Sequence, residues 1–198
     1  MIAILDYGIG NLRSAQKALQ KVGATAEMIT DPKQAMQADA VVLPGVGAFG
    51  NCMQALHRCG LDQVVVDSIE AGKPFLGICV GMQMLYKGSE ETSQVQGLGI
   101  IDAMVRRLPQ GQKIPQMQWN QLTVDPLSSS FGFLNQAWVY FVHSFAPEYS
   151  PEAVASCDYG SKVVAAIEKD NIWATQFHPE KSGKWGLALL EKFARLAR

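Results

Sequence analysis

Little in this sequence points to a metal, a nucleic acid or a membrane. Its four cysteines, Cys52, Cys59, Cys79 and Cys157, include no C-x-x-C pair, which removes zinc-ribbon and thioredoxin-like readings. Cys52, His57 and Cys59 stand close together but without regular ligand spacing or an evident fourth ligand, so no metal site is expected. Charge of one sign is also missing. The 17 Lys and Arg against 18 Asp and Glu leave a net charge of -1, with no general pull toward nucleic acid or an anionic membrane. No apolar run reaches the roughly 18 residues of a membrane span. The opening MIAILDYGIG has no basic residues before its apolar stretch, and Asp6 interrupts it, so it does not read as a signal peptide. Thiols without an export signal fit a reducing cytoplasm. Histidine is scarce too, with three in 198 residues.

What is present is an ordinary globular composition, 48% apolar and 18% charged, in a length that suits one domain spanning residues 1–198. The first half alternates strand and helix patterns. IAIL at 2–5 reads as a strand, and 12–22 as a helix with Leu12, Ala15, Ala18, Leu19 and Val22 on one face and Gly23 at its C-cap. A strand at 25–29, a helix-prone stretch at 31–37 and a strand ending in Pro44-Gly45 follow. Helices are predicted over 48–59 and 61–71, a strand over 73–78, and a helix over 80–89. Continuous apolar strands between helices predict an α/β fold, an open, doubly wound, mostly parallel sheet with helices on both faces. In the second half, 100–108, 138–145, 162–170 and 171–177 read as strands with short turns, which predicts an antiparallel extension of that sheet. A last helix at 183–197 aligns Leu189, Leu190, Phe193 and Leu196.

One stretch carries chemistry. In PFLGICVGMQML, residues 74–85, a strand runs into Cys79 between Gly77 and Gly81 and turns at once into a helix. A cysteine there is either a small buried residue at a tight turn or a nucleophile lifted above the sheet edge, as in the G-x-S-x-G elbow. A helix N-terminus favours thiolate over thiol, and the Val80 N–H is placed for a developing oxyanion. Such a nucleophile needs a base. His57 reads as a solvated helix residue and His143 as a structural or ligand-contacting one. His178 ends a strand, Pro179 fixes the next backbone, and Glu180 follows, a carboxylate able to orient an imidazole. Cys79, His178 and Glu180 thus form a candidate triad from two strand ends. The glycines of LPGVGAFG, 43–50, suit a second oxyanion donor. GIGNLR is not a dinucleotide fingerprint, because Arg13 stands at the third glycine position.

GICVGMQ together with QFHPEKS resembles the class I, triad-type glutamine amidotransferases. DYGIGNLRS, LPGVGAFG, GICVGMQML, MQWN, YFVHSF, DYG and QFHPEKSG occur in the order of its branch of glutaminase subunits serving imidazole glycerol phosphate synthase. The resemblance implies Cys79 as nucleophile, His178 as base and Glu180 as its orienter. It implies Gly47, Val80, Gln83, His143 and Ser144 as contacts for glutamine. It places Asn11, Trp119, Tyr140 and Lys181 toward a (β/α)8-barrel cyclase subunit, bound as a heterodimer and fed ammonia through a channel. No cofactor or metal is implied for the glutaminase half. Many members carry His-Met-Gly-Trp-Asn where this chain has Gln116, Met117, Gln118, Trp119 and Asn120. A stand-alone cysteine hydrolase, a glutaminase for a different synthase, and a non-catalytic subunit are the alternatives. Because the 45–47 loop is glycine-rich, its peptides are expected to reorient, so that the partner gates the activity.

Overall fold

Alternating apolar strands and amphipathic helices build the first half of the chain. The computed structural model describes residues 1–197. In it, β1 (Ile2–Leu5) is followed by α1 (Leu12–Lys21), β2 (Ala26–Ile29), the single-turn α2 (Pro32–Ala35), β3 (Ala40–Gly45), α3 (Phe49–Arg58), α4 (Leu61–Glu70), β4 (Phe75–Cys79) and the single-turn α5 (Val80–Gln83). The second half contributes β5 (Val105–Arg107), β6 (Gln116–Gln121), β7 (Thr123–Val124), β8 (Trp138–His143), β9 (Phe145–Pro147), β10 (Ala153–Asp158), β11 (Lys162–Lys169) and β12 (Ile172–Thr175), then α6 (Gly183–Leu196).

Eight strands make one sheet in the order β2-β1-β3-β4-β12-β11-β10-β7. The first five run parallel. β11, β10 and β7 pair antiparallel and extend the edge. Every residue of β1, β3, β4 and β12 is buried, as strands covered on both faces require. α1 packs with α6, while α2 and α3 pack against α4. β4 lies between β3 and β12, so the loops leaving these three strands at their carboxyl ends meet in one place.

Several expectations fail for tertiary reasons. The helix predicted over 80–89 stops at Gln83. Backbone N–H groups of Leu98, Ile101, Gly99 and Gly97 donate to the carbonyls of Met84, Leu85, Tyr86 and Lys87, which removes acceptors a longer helix would use. The helix at 31–37 is one turn, 32–35. The strand at 100–108 shortens to β5, which pairs with β9 outside the main sheet. β8 likewise leaves the main sheet and pairs with β6. The extension begins with β11, as expected, while the strand read over 171–177 runs parallel to β4 as β12 and belongs to the parallel part. β10 and β7 complete the extension; β10 is unpredicted because AVASCD is small and polar, and pairing with β11 makes it a strand. Leu196 is 48% exposed and not on the buried face of α6.

The glycines around Cys79 are there for space. A Cβ on Gly81 would sit 1.8 Å from the Leu43 carbonyl oxygen, and one on Gly45 would sit 2.6 Å from the Gly81 nitrogen. Backbone cannot yield as a side chain can. Gly81→Ala is therefore expected to destabilise the protein by about 3 kcal/mol or more, read by thermal or denaturant unfolding. Gly132→Ala, where nothing lies within 4 Å of the added carbon, stays within about 0.5 kcal/mol of the parent.

Candidate active site

β4 ends on a backbone conformation that side chains rarely adopt. Cys79 has φ 56° and ψ -112°, which costs about 1–3 kcal/mol and persists only where the surroundings impose it. Here the neighbouring strands do so: Gly45 of β3 stands opposite Cys79 itself, and Thr175 of β12 opposite Ile78. The turn directs the thiol into a cavity of about 280 Å³ at the carboxyl edge of the sheet. Val80 opens α5, so its N–H is a first-turn donor without a helical acceptor.

His178 follows β12 and lines the same cavity. Its N–H donates to the Tyr140 carbonyl at 3.0 Å, and its own carbonyl accepts from Ser182 Oγ at 2.6 Å. The backbone that carries the ring is thus held at both its N–H and its carbonyl. Nδ1 lies 2.8 Å from Glu180 Oε1, with both side chains only 2% exposed. Asn11 Nδ2, at 3.5 Å, donates weakly to the same oxygen. Burial is the largest influence on the imidazole and would depress its pKa, but the hydrogen bonds and charges of Cys79 and Glu180 outweigh it and hold the pKa well above the usual value. Nε2 closes no hydrogen bond of full geometry. Cys79 acts on the ring without a completed bond.

The other expected substrate contacts, Gly47, Val80, Gln83, His143 and Ser144, all line this cavity. Gln83 donates through Nε2 to the carbonyl of Phe145 and to Gln176 Oε1, both at 2.9 Å, so its nitrogen is already occupied. His143 Nδ1 lies 2.8 Å from the Phe145 carbonyl and must carry the proton, which leaves Nε2 a buried acceptor with no partner in the protein. Gly47 has φ 83°, and Cys52 Sγ donates to the Val46 carbonyl at 3.2 Å. In a trans peptide this turns the Gly47 N–H away from Cys52. Burial pushes the Cys52 and Cys157 thiols up to about 11, which keeps both protonated near neutrality. Cys59 is exposed, and His57 sits on the surface 2.6 Å from Asp62. Among the described residues no group of three His, Cys, Asp or Glu side chains could hold a metal, and no helix is long and apolar enough to cross a membrane.

One residue of the cavity and one beside its thiol escaped the sequence reading. Glu91 lines the cavity and accepts from the Phe49 N–H at 2.7 Å; nothing in GSEET distinguishes it from Glu90. Gln176 places Nε2 3.6 Å from Cys79 Sγ. Here a signal existed, since strand alternation carried two residues past Thr175 sets Gln176 and His178 on one side.

Asn11, Trp119, Tyr140 and Lys181 gather beside the carboxylate end of this array. Trp119 stands opposite Tyr140 in the β6–β8 ladder with their rings edge to face at 6.1 Å, and Lys181 Nζ lies 5.8 Å over the Tyr140 ring. Met117 and Trp138 share that face of the ladder and are more than half exposed. Of the two departures from His-Met-Gly-Trp-Asn, Gln116 is fully buried and reaches no surface, while Gln118 is exposed.

A family model described as glutamine amidotransferase class-I matches residues 3–196. The imidazole glycerol phosphate synthase subunit HisH of Methanothermobacter thermautotrophicus is 50% identical over 199 residues, covering 100% of both chains. That of Geobacter metallireducens is 49% identical, covering 98% of this chain and 97% of its own. A crystal structure described as glutamine amidotransferase superposes with a TM-score of 0.75 at 21% identity, covering 99% of this chain and 98% of the other; at that identity the likeness concerns the fold.

The buried His143 generates a pH dependence. Burial depresses its pKa from 6.5 to about 4. Below pH 6.5 the unfolded chain takes up this proton first, so the stability present above 6.5 is lost progressively as pH falls toward 4. Between pH 7 and 5 the parent is expected to lose about 2 kcal/mol more than His143→Gln. Denaturant unfolding at a series of pH values measures the difference, and parallel pH profiles would remove His143 as its source.

Proposed function

Because this chain belongs to the class-I glutamine amidotransferase family, we propose that residues 1–198 act as one glutaminase domain, the glutamine-hydrolysing subunit of an imidazole glycerol phosphate synthase in histidine biosynthesis. The observation that carries the reading is the cavity of about 280 Å³ that holds Cys79 on its strained turn together with His178, itself paired to Glu180, in a chain matched from end to end by the two subunits named above.

Glutamine enters with its carboxamide toward Cys79. The Glu91 carboxylate, in the same cavity, suits the α-ammonium group, and Gln83, His143 and Ser144 line the path. The Cys79 thiolate adds to the amide carbon, and the oxyanion takes the N–H of Val80 and an amide of the 45–47 loop. His178, held protonated by its neighbours, gives its proton to the departing ammonia. The glutamyl thioester remains. Neutral His178 then takes a proton from water, whose attack releases glutamate and restores the thiolate. Glu180 holds the ring in the required tautomer throughout. No step calls for a metal or cofactor.

Ammonia leaves toward a (β/α)8-barrel cyclase subunit, which converts a phosphoribulosyl intermediate into imidazole glycerol phosphate and aminoimidazole carboxamide ribotide. The aromatic face of β6 and β8, with Asn11 and Lys181 beside it, is the surface we assign to that heterodimer, working in the cytoplasm. An exposed Trp119 next to the Glu180 end of the triad supports this, since aromatic anchors are favoured at interface centres.

Ammonia and glutamate release are to be measured for the chain alone, with the barrel subunit, and with its nucleotide ligand added. Slow hydrolysis alone and faster hydrolysis in the complex are expected, the gap reaching about 10²–10³-fold if one oxyanion donor is reoriented. Cys79→Ala loses glutamine hydrolysis in every case, while synthesis from added ammonia survives. Retained glutaminase activity in Cys79→Ala ends this reading, and equal rates with and without the partner favour a stand-alone hydrolase.

Trp119→Ala should weaken association with the barrel subunit by about 2 kcal/mol, roughly 30-fold in Kd, with little change in the stability of the chain itself. Titration calorimetry reads the first and thermal unfolding the second. Unchanged affinity would remove this face from the interface.

A further inference from the structure

Gln176 is fully buried just past β12, its backbone N–H held by the Ala165 carbonyl at 2.8 Å. Neither the triad nor the glutamine contacts assigned above include it. Its Nε2 lies 3.6 Å from Cys79 Sγ, and its Oε1 accepts from Gln83 Nε2 at 2.9 Å. The two ends of a side-chain amide have the same shape, so the surrounding network decides which end meets the sulfur. Here the network has an unambiguous anchor. The Phe145 carbonyl can only accept, so it takes the nitrogen of Gln83. That same nitrogen needs an acceptor in Gln176, which fixes the oxygen of Gln176 toward Gln83. The nitrogen of Gln176 is then left facing the sulfur.

We propose that Gln176 is a dedicated hydrogen-bond donor to the Cys79 sulfur, with Gln83 as the positioning residue that locks its orientation. This rests on the reading of Cys79 as the nucleophile. A donor at the sulfur favours S⁻ over SH. It differs from His178 in kind. His178 gains and loses a proton during turnover, so its hold on the sulfur changes, whereas an amide keeps its hydrogens and acts on the sulfur in every step. Gln83 thereby has two ends with two tasks: its nitrogen orders Gln176, and its other end faces the cavity.

The test is the pH dependence of Cys79 alkylation by iodoacetamide, on the full chain in a Cys59→Ser background, since Cys59 is the exposed thiol. The titratable groups around Cys79 are His178 with Glu180, Tyr7 and Cys52 behind the loop, and Glu91 and His143 across the cavity. All are unchanged in every variant. Gln176→Met should move the midpoint of the alkylation profile up by about one pH unit, or about tenfold slower alkylation on its acid side. Gln176→Glu should move it further, because a carboxylate then faces the sulfur. Gln83→Met should move it in the same direction by less, because the Gln176 amide is then free to turn over. A packing role alone would change melting temperature and leave the profile in place. If any of the three variants folds and titrates like the parent, the donor is overturned, and the two sites give separate chances to see it. Should Cys79→Ala lose glutaminase activity while these profiles stay unmoved, only the donor fails and the reading of Cys79 stands.

Discussion

The close approach of three backbones at β3, β4 and α5 is the constraint on which the site depends. Gly45 and Gly81 bring the Leu43–Gly45 segment and the first turn after β4 to within distances that no Cβ allows, and a Cβ on Gly77 would press on the Gly81 carbonyl at 3.0 Å. Because α5 cannot move outward, the chain reverses within one residue, and that residue is Cys79 with its positive φ. The strain is held by a strand buried on both sides and hydrogen-bonded to β3 and β12. Cys52 and Cys157 show what happens to a buried cysteine without a cationic partner: the proton stays.

The electrostatics follow from the same geometry. Parallel β4 and β12 are neighbours, so the residues leaving their carboxyl ends, Cys79 and His178, meet without a long loop. Burial works against charge on the imidazole. The site answers with a chain of partners in which Glu180 holds Nδ1, Asn11 touches Glu180, and Ser182 and Tyr140 hold the backbone. Two imidazoles in one cavity thus reach opposite states. His178, with a carboxylate and a thiol beside it, is driven toward the charged form, whereas His143, with only a backbone carbonyl, is driven toward the neutral form. One is equipped to move protons and the other to present a fixed acceptor.

The array of Cys79, His178 and Glu180 is also close to the outer surface at one end. Glu180 is followed by Lys181, which lies over Tyr140, which stands against the half-exposed Trp119. A protein docked on the β6–β8 ladder would touch residues one or two bonds removed from those that orient His178. That proximity offers a physical route by which a partner alters turnover, through Asn11 and Glu180 as well as through the 45–47 loop.

What the sequence determined by itself was whatever depends on local pattern. The apolar runs of β1, β3 and β4, the amphipathic face of α1 and the glycine-flanked Cys79 with His-Pro-Glu are each complete within about ten residues, and strand, helix and turn preferences act at that range. The parallel order of the first sheet half followed from the same alternation. Tertiary structure decided the rest. AVASCD and QMQWNQ have no strand pattern of their own and became β10 and β6 because β11 and β8 supply their hydrogen bonds. VGMQMLYKGS has a helical pattern but ends after one turn, because the 97–103 segment takes its carbonyls. Glu91 reaches the cavity from a segment with nothing distinctive in its composition. Local preference is worth a few tenths of a kcal/mol per residue, while a buried backbone group left unpaired costs about 1–3 kcal/mol. Where the two conflict, the long-range hydrogen bond wins, and that pairing is written in no single stretch of the chain.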